Sequence, residues 1–240
     1  MKLLDYYNYL VKWVQESVKN AKCDGVIVGL SGGIDSSVVA AIAKDAFPNN
    51  SLGLIMPIES SDQDLKDAIS VVQKLDLSFE IVDLNETFKV MTSHLPVVNK
   101  LAIANIKPRL RMTTLYAFAQ EKKYLVLGTD NMAEMFLGYF TKYGDGGVDL
   151  LPIVHLTKME VFELAKLIGI PQQIIEKKPS AGLWENQEDE QELGFSYEDF
   201  DNYVYNKSSL DRETIKKIEL QHQITEHKRK SIPQPEKFLK

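Results

Sequence analysis

The residues with the plainest chemical potential are those of SGGIDSS, Ser31 to Ser37, where an apolar run gives way to a helix-like pattern. Two glycines allow a tight turn and the close approach of a ligand, and a helix N-terminus favours an anion at the same spot. Ser31, Ser36 and Ser37 add hydroxyl groups. Asp35 is the odd member, because a carboxylate in a phosphate cradle repels its ligand. A magnesium ion removes the conflict, since it takes oxygen ligands and bridges carboxylates to phosphates. The stretch thus reads as a nucleotide polyphosphate site with a metal. The competing reading is a strand–helix turn in which the glycines save space and Asp35 only favours the helix start. Neither G-x-x-x-x-G-K-[ST] nor G-x-G-x-x-G occurs here, so a Walker loop and a dinucleotide fingerprint are both excluded.

The elements that must hold this turn follow from periodicity. Short apolar runs at Gly25–Leu30, Ser51–Pro57, Phe79–Leu84 and Lys123–Thr129 read as buried strands. Helical spacing fills Ile34–Ala46, Asp62–Asp76 and much of Asn85–Lys122. This alternation predicts an α/β fold: a doubly wound parallel sheet of about five strands with helices on both faces. Ligands are then expected beyond the carboxyl ends of the strands. The second half is less regular, with a glycine-rich GYFTKYGDGGVDLLP and an acidic PSAGLWENQEDEQELG. Between them Thr157 and Glu160 form a capping box before a helix ending near Gly169, and helices resume from about Tyr197 and Asp211. With no internal repeat and no clean linker, residues 1–240 read as one domain.

The 240 residues are 44% hydrophobic and 26% charged, enough for a sizeable core under an ordinary soluble surface. A net charge of −6 argues against binding long nucleic acid through its phosphates. No run reaches the roughly 20 apolar residues needed to span a bilayer, and the N-terminal pattern is an amphipathic helix and not a secretory signal. One cysteine, Cys23, allows neither an internal disulfide nor a thiolate zinc cluster. A cytoplasmic location fits.

SGGIDSS resembles the pyrophosphate loop of the ATP pyrophosphatases, which cleave ATP between its α and β phosphates. Further along, NIKPRLRM, LGTDNMAE, GYFTKYGDGGVDLLPI, LTKMEVFELA, PSAGL and DEQELG are similar, in that order, to the ammonia-dependent NAD synthetases. The resemblance runs from the first strand to EHKRK near the end. It implies an adenine nucleotide alpha hydrolase-like fold and an enzyme that adenylates the nicotinate carboxylate of deamido-NAD with MgATP. Ammonia then displaces AMP, giving NAD, AMP and pyrophosphate.

The same resemblance implies the site. Gly29, Leu30, Ser31, Gly32, Gly33, Ile34, Asp35 and Ser36 match the pyrophosphate loop, and Thr129, Lys158 and Ser180 match further ATP contacts. Asp35 and Glu134 match the magnesium ligands. Arg109, Lys142, Asp149, His227 and Lys228 match contacts to deamido-NAD, and Asp145 is a candidate for handling ammonia. Lysine is mildly unfavourable in the first turn of a helix, so Lys158 needs an outside reason for its place. Arg109 and Arg111 diverge on a helix, so one is expected at the ligand and the other on a structural carboxylate or partner. The segments Asn85–Lys89 and Trp184–Ser208 are expected to be lid loops. The family is homodimeric with the dinucleotide across the interface; the aromatic N-terminal helix (Tyr6, Tyr7, Tyr9, Trp13) and the helices of Pro96–Lys122 could supply that surface, or the aromatics could be core. A glutaminase needs a nucleophilic cysteine in its own domain, which 240 residues leave no room for, so free ammonia is the expected nitrogen source. Two alternatives stand beside this reading: the ATP pyrophosphatase subunit of another amidating or tRNA-thiolating system, and an ATP-binding sensor without turnover.

Overall fold

The computed structural model describes residues 2–179 and 189–238. Its elements run α1 (Leu3–Asn20), β1 (Gly25–Gly29), α2 (Ile34–Ala46), β2 (Ser51–Ile55), α3 (Asp62–Leu75), β3 (Phe79–Ile81), α4 (Asn85–Ser93), α5 (Lys100–Ala104), α6 (Ile106–Lys122) and β4 (Tyr124–Leu127). The remainder is helical: α7 (Met132–Leu137), α8 (Lys158–Leu167), α9 (Gln172–Ile175), α10 (Asp189–Leu193), α11 (Tyr197–Tyr205) and α12 (Arg212–Ile224).

The four strands form one parallel sheet in the order β3-β2-β1-β4. Val26 of β1 pairs with Ser51 on one side and Leu125 on the other. Successive side chains of a strand face opposite ways, and the core divides accordingly. Val26, Val28 and Ile55 pack with α1, α2, α8 and α9 on one face. Ile27, Leu52, Leu54 and Val126 pack with Phe88, Ile106, Leu115 and Ala119 on the other. A third cluster joins α7, α11 and α12 through Leu137, Phe200 and Ile218. From β1 the chain winds outward through β2 and β3, then returns to β1's other edge as β4. The strand order therefore reverses between β1 and β4, and a crevice opens at their carboxyl ends.

Among the described residues the doubly wound parallel sheet forms as expected, with four strands against the expected five or so. The position beside β4 is held by residues 149–150, which make a single parallel bridge from Leu127 to Leu150, with Gly128 N donating to Leu150 O at 2.7 Å. Pro152 has no N–H to extend that ladder, so the would-be strand ends after one bridge. The two expected lid loops are also corrected. Asn85–Lys89 opens α4 and buries Phe88. Within Trp184–Ser208, the described residues from 189 onward form α10 and α11, with Tyr197 and Phe200 buried. Helical spacing already marked the starts of α4 and α11, and only α10, of five residues, is too short to show a period. Of the N-terminal aromatics, Tyr7 is core, donating its hydroxyl to Asp45 at 2.6 Å, and Trp13 packs half-buried against the core, while Tyr9 is exposed. Among the described residues no helix is long and apolar enough to cross a membrane.

Gly32 and Gly169 both adopt left-handed backbone, with φ of +77° and +76°. A Cβ on Gly169 would meet nothing within 4 Å, whereas one on Gly32 would lie 2.6 Å from the Asp64 carbonyl oxygen. Gly169→Ala should therefore cost only the conformational penalty of about 1–2 kcal/mol. Gly32→Ala should cost more, because loop and α3 must separate; urea denaturation of the two variants measures the difference.

Candidate active site

The crevice between β1 and β4 holds residues from three segments far apart in sequence. Asp35 enters from the first turn of α2, after β1. Glu134 enters from the first turn of α7, after β4. Lys158 enters from the first turn of α8. Lys158 Nζ donates to Asp35 Oδ2 at 2.6 Å and lies 3.7 Å from Glu134 Oε1. Its side chain is only 3% exposed. This contact is the outside reason for a lysine at that helix start. Asn131 closes the arrangement: its Nδ2 donates to Asp35 Oδ1 at 3.0 Å, while its Oδ1 accepts from Glu134 N at 3.1 Å. Glu134 Oε2 in turn accepts from Asn131 N at 2.9 Å, so one carboxylate oxygen caps α7 and the other faces Lys158.

The electrostatics follow from burial. Desolvation first, and then Asp35, push the Glu134 carboxyl up to about 8, against the opposing pull of Lys158. Burial alone would lower the Lys158 ammonium, but Asp35 and Glu134 outweigh it and hold it above its ordinary value. The ring of Tyr197 covers the ammonium at 5.1 Å, and the Tyr197 hydroxyl donates to Asp189 at 2.9 Å. Asp35 and Glu134 are hard oxygen donors that converge on one cation, the donor set a divalent ion could take over. Among the described residues, no group of three or more His, Cys, Asp or Glu side chains could hold a metal.

The loop itself departs from expectation in one respect. Ser36 and Ser37 are buried, and both donate their hydroxyls to the Gly33 carbonyl, at 3.0 and 2.8 Å. Ser31 Oγ accepts from Gly33 N at 3.2 Å. The Ser36 and Ser37 hydroxyls fix the shape of the turn, while Ser31 remains exposed. Residues Gly29 to Asp35 still pass over the crevice at the start of α2, where first-turn amides lack intrahelical partners. Thr129 lies two residues beyond β4 at the same end, and Ser180 lies outside the described residues.

The cations expected for the dinucleotide form a second group. Arg109 donates to the Lys142 carbonyl at 3.3 Å, and Lys142 Nζ to the His227 carbonyl at 2.6 Å. Lys228 Nζ donates to the Gly138 and Phe140 carbonyls, both at 2.7 Å, binding the tail to the glycine-rich loop. Burial lowers the Lys228 ammonium, with Asp145 opposing. Asp149 stands apart: its carboxylate accepts from the Tyr116 hydroxyl at 3.0 Å and from Val126 N at 2.8 Å, at the β4 edge. Arg111 turns inward as expected of one arginine, but its partner is a carbonyl, Met56 O, at 3.0 Å. Asp145 accepts from Thr141 N at 3.1 Å, and the protein crowded around it raises its carboxyl above the ordinary value.

Three residues of the site carry no role in the resemblance, although two of them, Asp130 and Asn131, lie within LGTDNMAE. Asn131 had a signal, an N-cap asparagine three residues before Glu134. Tyr197 had none, since only the packing of α11 brings it over Lys158. Asp130 is 4% exposed and its Oδ2 has no hydrogen-bond partner. Burial, then Asp145, Glu134 and Asp35, push its carboxyl well above the ordinary range. It lies in the field of both groups.

The NAD synthase family profile matches residues 6–233. The chain belongs to the NAD synthase family. An ammonia-dependent NAD(+) synthetase of Mycoplasmopsis pulmonis is 57% identical, over 98% of this chain and 92% of that protein. Among solved structures, an NMN synthetase of Francisella tularensis superposes with a TM-score of 0.93 at 36% identity, covering 98% of this chain and 99% of the other. An ammonia-dependent NAD synthetase of Campylobacter jejuni gives 0.85 at 30% identity, covering 98% and 100%. The parallel sheet and its switch-point crevice are thus the NAD synthase architecture.

Removing Lys158 leaves two buried carboxylates facing each other. Lys158→Met should destabilise this NAD synthase fold by about 3–5 kcal/mol. Asp35→Asn, which relieves like-charge crowding and leaves Lys158 its second partner, should cost clearly less. Denaturant midpoints of both variants check the order.

Proposed function

We propose that the protein converts deamido-NAD to NAD with ammonia, spending ATP on a nicotinoyl adenylate and releasing AMP and pyrophosphate. The observation that carries this is the meeting of Asp35 and Glu134 through Lys158 at the β1–β4 switch point, beneath the SGGIDSS loop, in a member of the NAD synthase family. A carboxylate repels nucleophiles and must become an electrophile before ammonia attacks; AMP is the leaving group that makes it one.

Asp35 and Glu134 would hold magnesium, their oxygen donors suiting a hard cation. Magnesium, when bound, neutralises phosphate charge. The chain's own share is positioning. First-turn amides of α2 receive the pyrophosphate, Thr129 and Ser180 bind the nucleotide, and Lys158, released from Asp35, turns its charge to the phosphates. Arg109, Lys142 and Lys228 gather positive charge for the two phosphates of deamido-NAD, with His227 beside them and Asp149 at the outer edge of that subsite. Asp145, with Asp130 behind it, takes the proton that ammonium must lose before its nitrogen has a lone pair to attack with.

The working unit is a homodimer of such single-domain chains, cytoplasmic in keeping with its one cysteine. Support for the dimer comes from α4, α5 and the segment joining them, which expose Val90, Met91, Val98 and Leu101, Val98 of the joining segment being 93% accessible. Apolar side chains grouped in this way mark an interaction face. The alternative substrate is nicotinate mononucleotide, favoured by the likeness to the Francisella NMN synthetase.

AMP release from MgATP should require both an acid substrate and ammonium. Parallel assays with deamido-NAD and nicotinate mononucleotide should give the higher kcat/KM with the dinucleotide; the reverse order establishes the mononucleotide reading. Asp35→Ala should lower kcat/KM by about 10²-fold or more, and full activity in that variant would end the proposal. Val98→Asp should give monomers in sedimentation and weaken dinucleotide use.

A further inference from the structure

Ser36 and Ser37 donate their hydroxyls to the Gly33 carbonyl, and Lys158, the phosphate-facing cation of the reading above, stands on the Asp35 and Glu134 side of the loop. The opposite wall of the cradle carries another cation. Lys177, two residues past α9, donates to Asp64 Oδ1 at 2.7 Å and to Asp67 Oδ2 at 2.8 Å, and its ammonium reaches within 3.5 Å of the Gly32 carbonyl. Gly32 is the residue whose missing Cβ lets the loop press on Asp64 and Asp67. Lysine, acidic pair and loop are therefore one contiguous wall.

We propose that Lys177 binds the β and γ phosphates of ATP, and the pyrophosphate they become. The inference rests on the ATP-cleaving reading above. A wall of two carboxylates and one ammonium is net negative, the wrong sign beside a polyanion unless the ammonium can turn toward it. The burial is graded to permit this. The Asp67 side chain is 4% exposed, whereas Lys177 is 30% and Asp64 39% exposed. The Lys177–Asp64 contact is a solvent-accessible pair of the weak, exchangeable kind. A phosphate oxygen offers the lysine a doubly charged partner and a stronger hydrogen bond. Asp67, also held by Gln63 Nε2 at 2.8 Å, stays behind to aim the side chain. Asp64 is not stranded, because its other oxygen already accepts from Ser61 Oγ at 2.8 Å in the cap of α3. When the bond between the α phosphorus and its bridging oxygen breaks, charge grows on the departing pyrophosphate, and Lys177 meets it there.

The test is magnesium pyrophosphate binding by calorimetry with the intact protein, together with steady-state kinetics. Lys177→Met should weaken pyrophosphate binding and raise the KM for ATP by about tenfold, the scale of one lost charged hydrogen bond, leaving the KM values for deamido-NAD and ammonia unchanged. Lys177→Arg should restore most of the loss. Asp64→Asn keeps the cation and removes its competitor, so it should bind pyrophosphate as tightly as wild type or more so. If Asp64→Asn and Lys177→Met weaken binding alike, the lysine is a structural clamp and the proposal is overturned. Unchanged pyrophosphate affinity in Lys177→Met also overturns it. Should that variant not fold, Lys177→Arg and Asp64→Asn decide by the same criteria. A wild-type protein that neither binds pyrophosphate nor releases AMP refutes the underlying reading instead, and is thereby told apart from failure of Lys177 alone.

Discussion

Two carboxylates lie close together in a crevice from which water is largely excluded, and a buried lysine makes that bearable. Asp35 lies 123 residues before Lys158 and on a different helix from both Lys158 and Glu134, yet the three have to be assembled at one point. Like charges in low dielectric repel strongly, and an isolated ammonium in the same place would shed its proton or stay unfolded. The Asp35 carboxylate and the Lys158 ammonium are tolerable there only as a pair, and burial and Asp35 push the Glu134 carboxyl beside them up to about 8. The three helix starts that deliver them, α2, α7 and α8, are accordingly fixed by local devices: the serine-stitched turn, the Asn131–Glu134 capping box and the Thr157–Glu160 capping box. Capping here does two tasks, since Glu134 spends one oxygen on its helix and offers the other to the site.

That economy extends outward. The Thr157 hydroxyl donates to Asp201 at 2.7 Å, tying the start of α8 to α11. α11 in turn sets Tyr197 over Lys158. Lys228 ties the tail to the glycine-rich loop that carries Asp145. The irregular second half of the chain is thus a scaffold laid across the mouth of the sheet, and its polar side chains are largely engaged with backbone carbonyls or with one another.

Much of this architecture was readable in the chain before folding was considered. The four strand cores, the N-terminal amphipathic helix, the α8 capping box and the α/β alternation all follow from local pattern, because buried parallel strands and capped helices are specified by neighbouring residues. The fifth strand failed for an equally local reason, Pro152, whose effect on hydrogen bonding shows only once residues 149–150 lie beside β4. The segments 85–89 and 184–208 read as lid loops because they are polar, although helical spacing is legible from Asn85 and from about Tyr197; residues 184–188 lie outside the described residues, and the rest is largely helix.

The sequence by itself determined the chemical inventory: a glycine-rich turn, a carboxylate that implies a cation, the ordered segments of the NAD synthase family, and too few cysteines for thiolate chemistry. Only the tertiary structure decided how that inventory is used. Ser36 and Ser37 turn inward, Arg111 meets a carbonyl, Asp149 braces the β4 edge, Asp130 is buried with its Oδ2 unpaired, and Lys177 meets Asp64 and Asp67 beside the Gly32 turn. The reason is physical: residue type and spacing set what a side chain can do, whereas burial, partner and direction depend on contacts between segments distant along the chain, and those exist only when the sheet has brought its strand ends together.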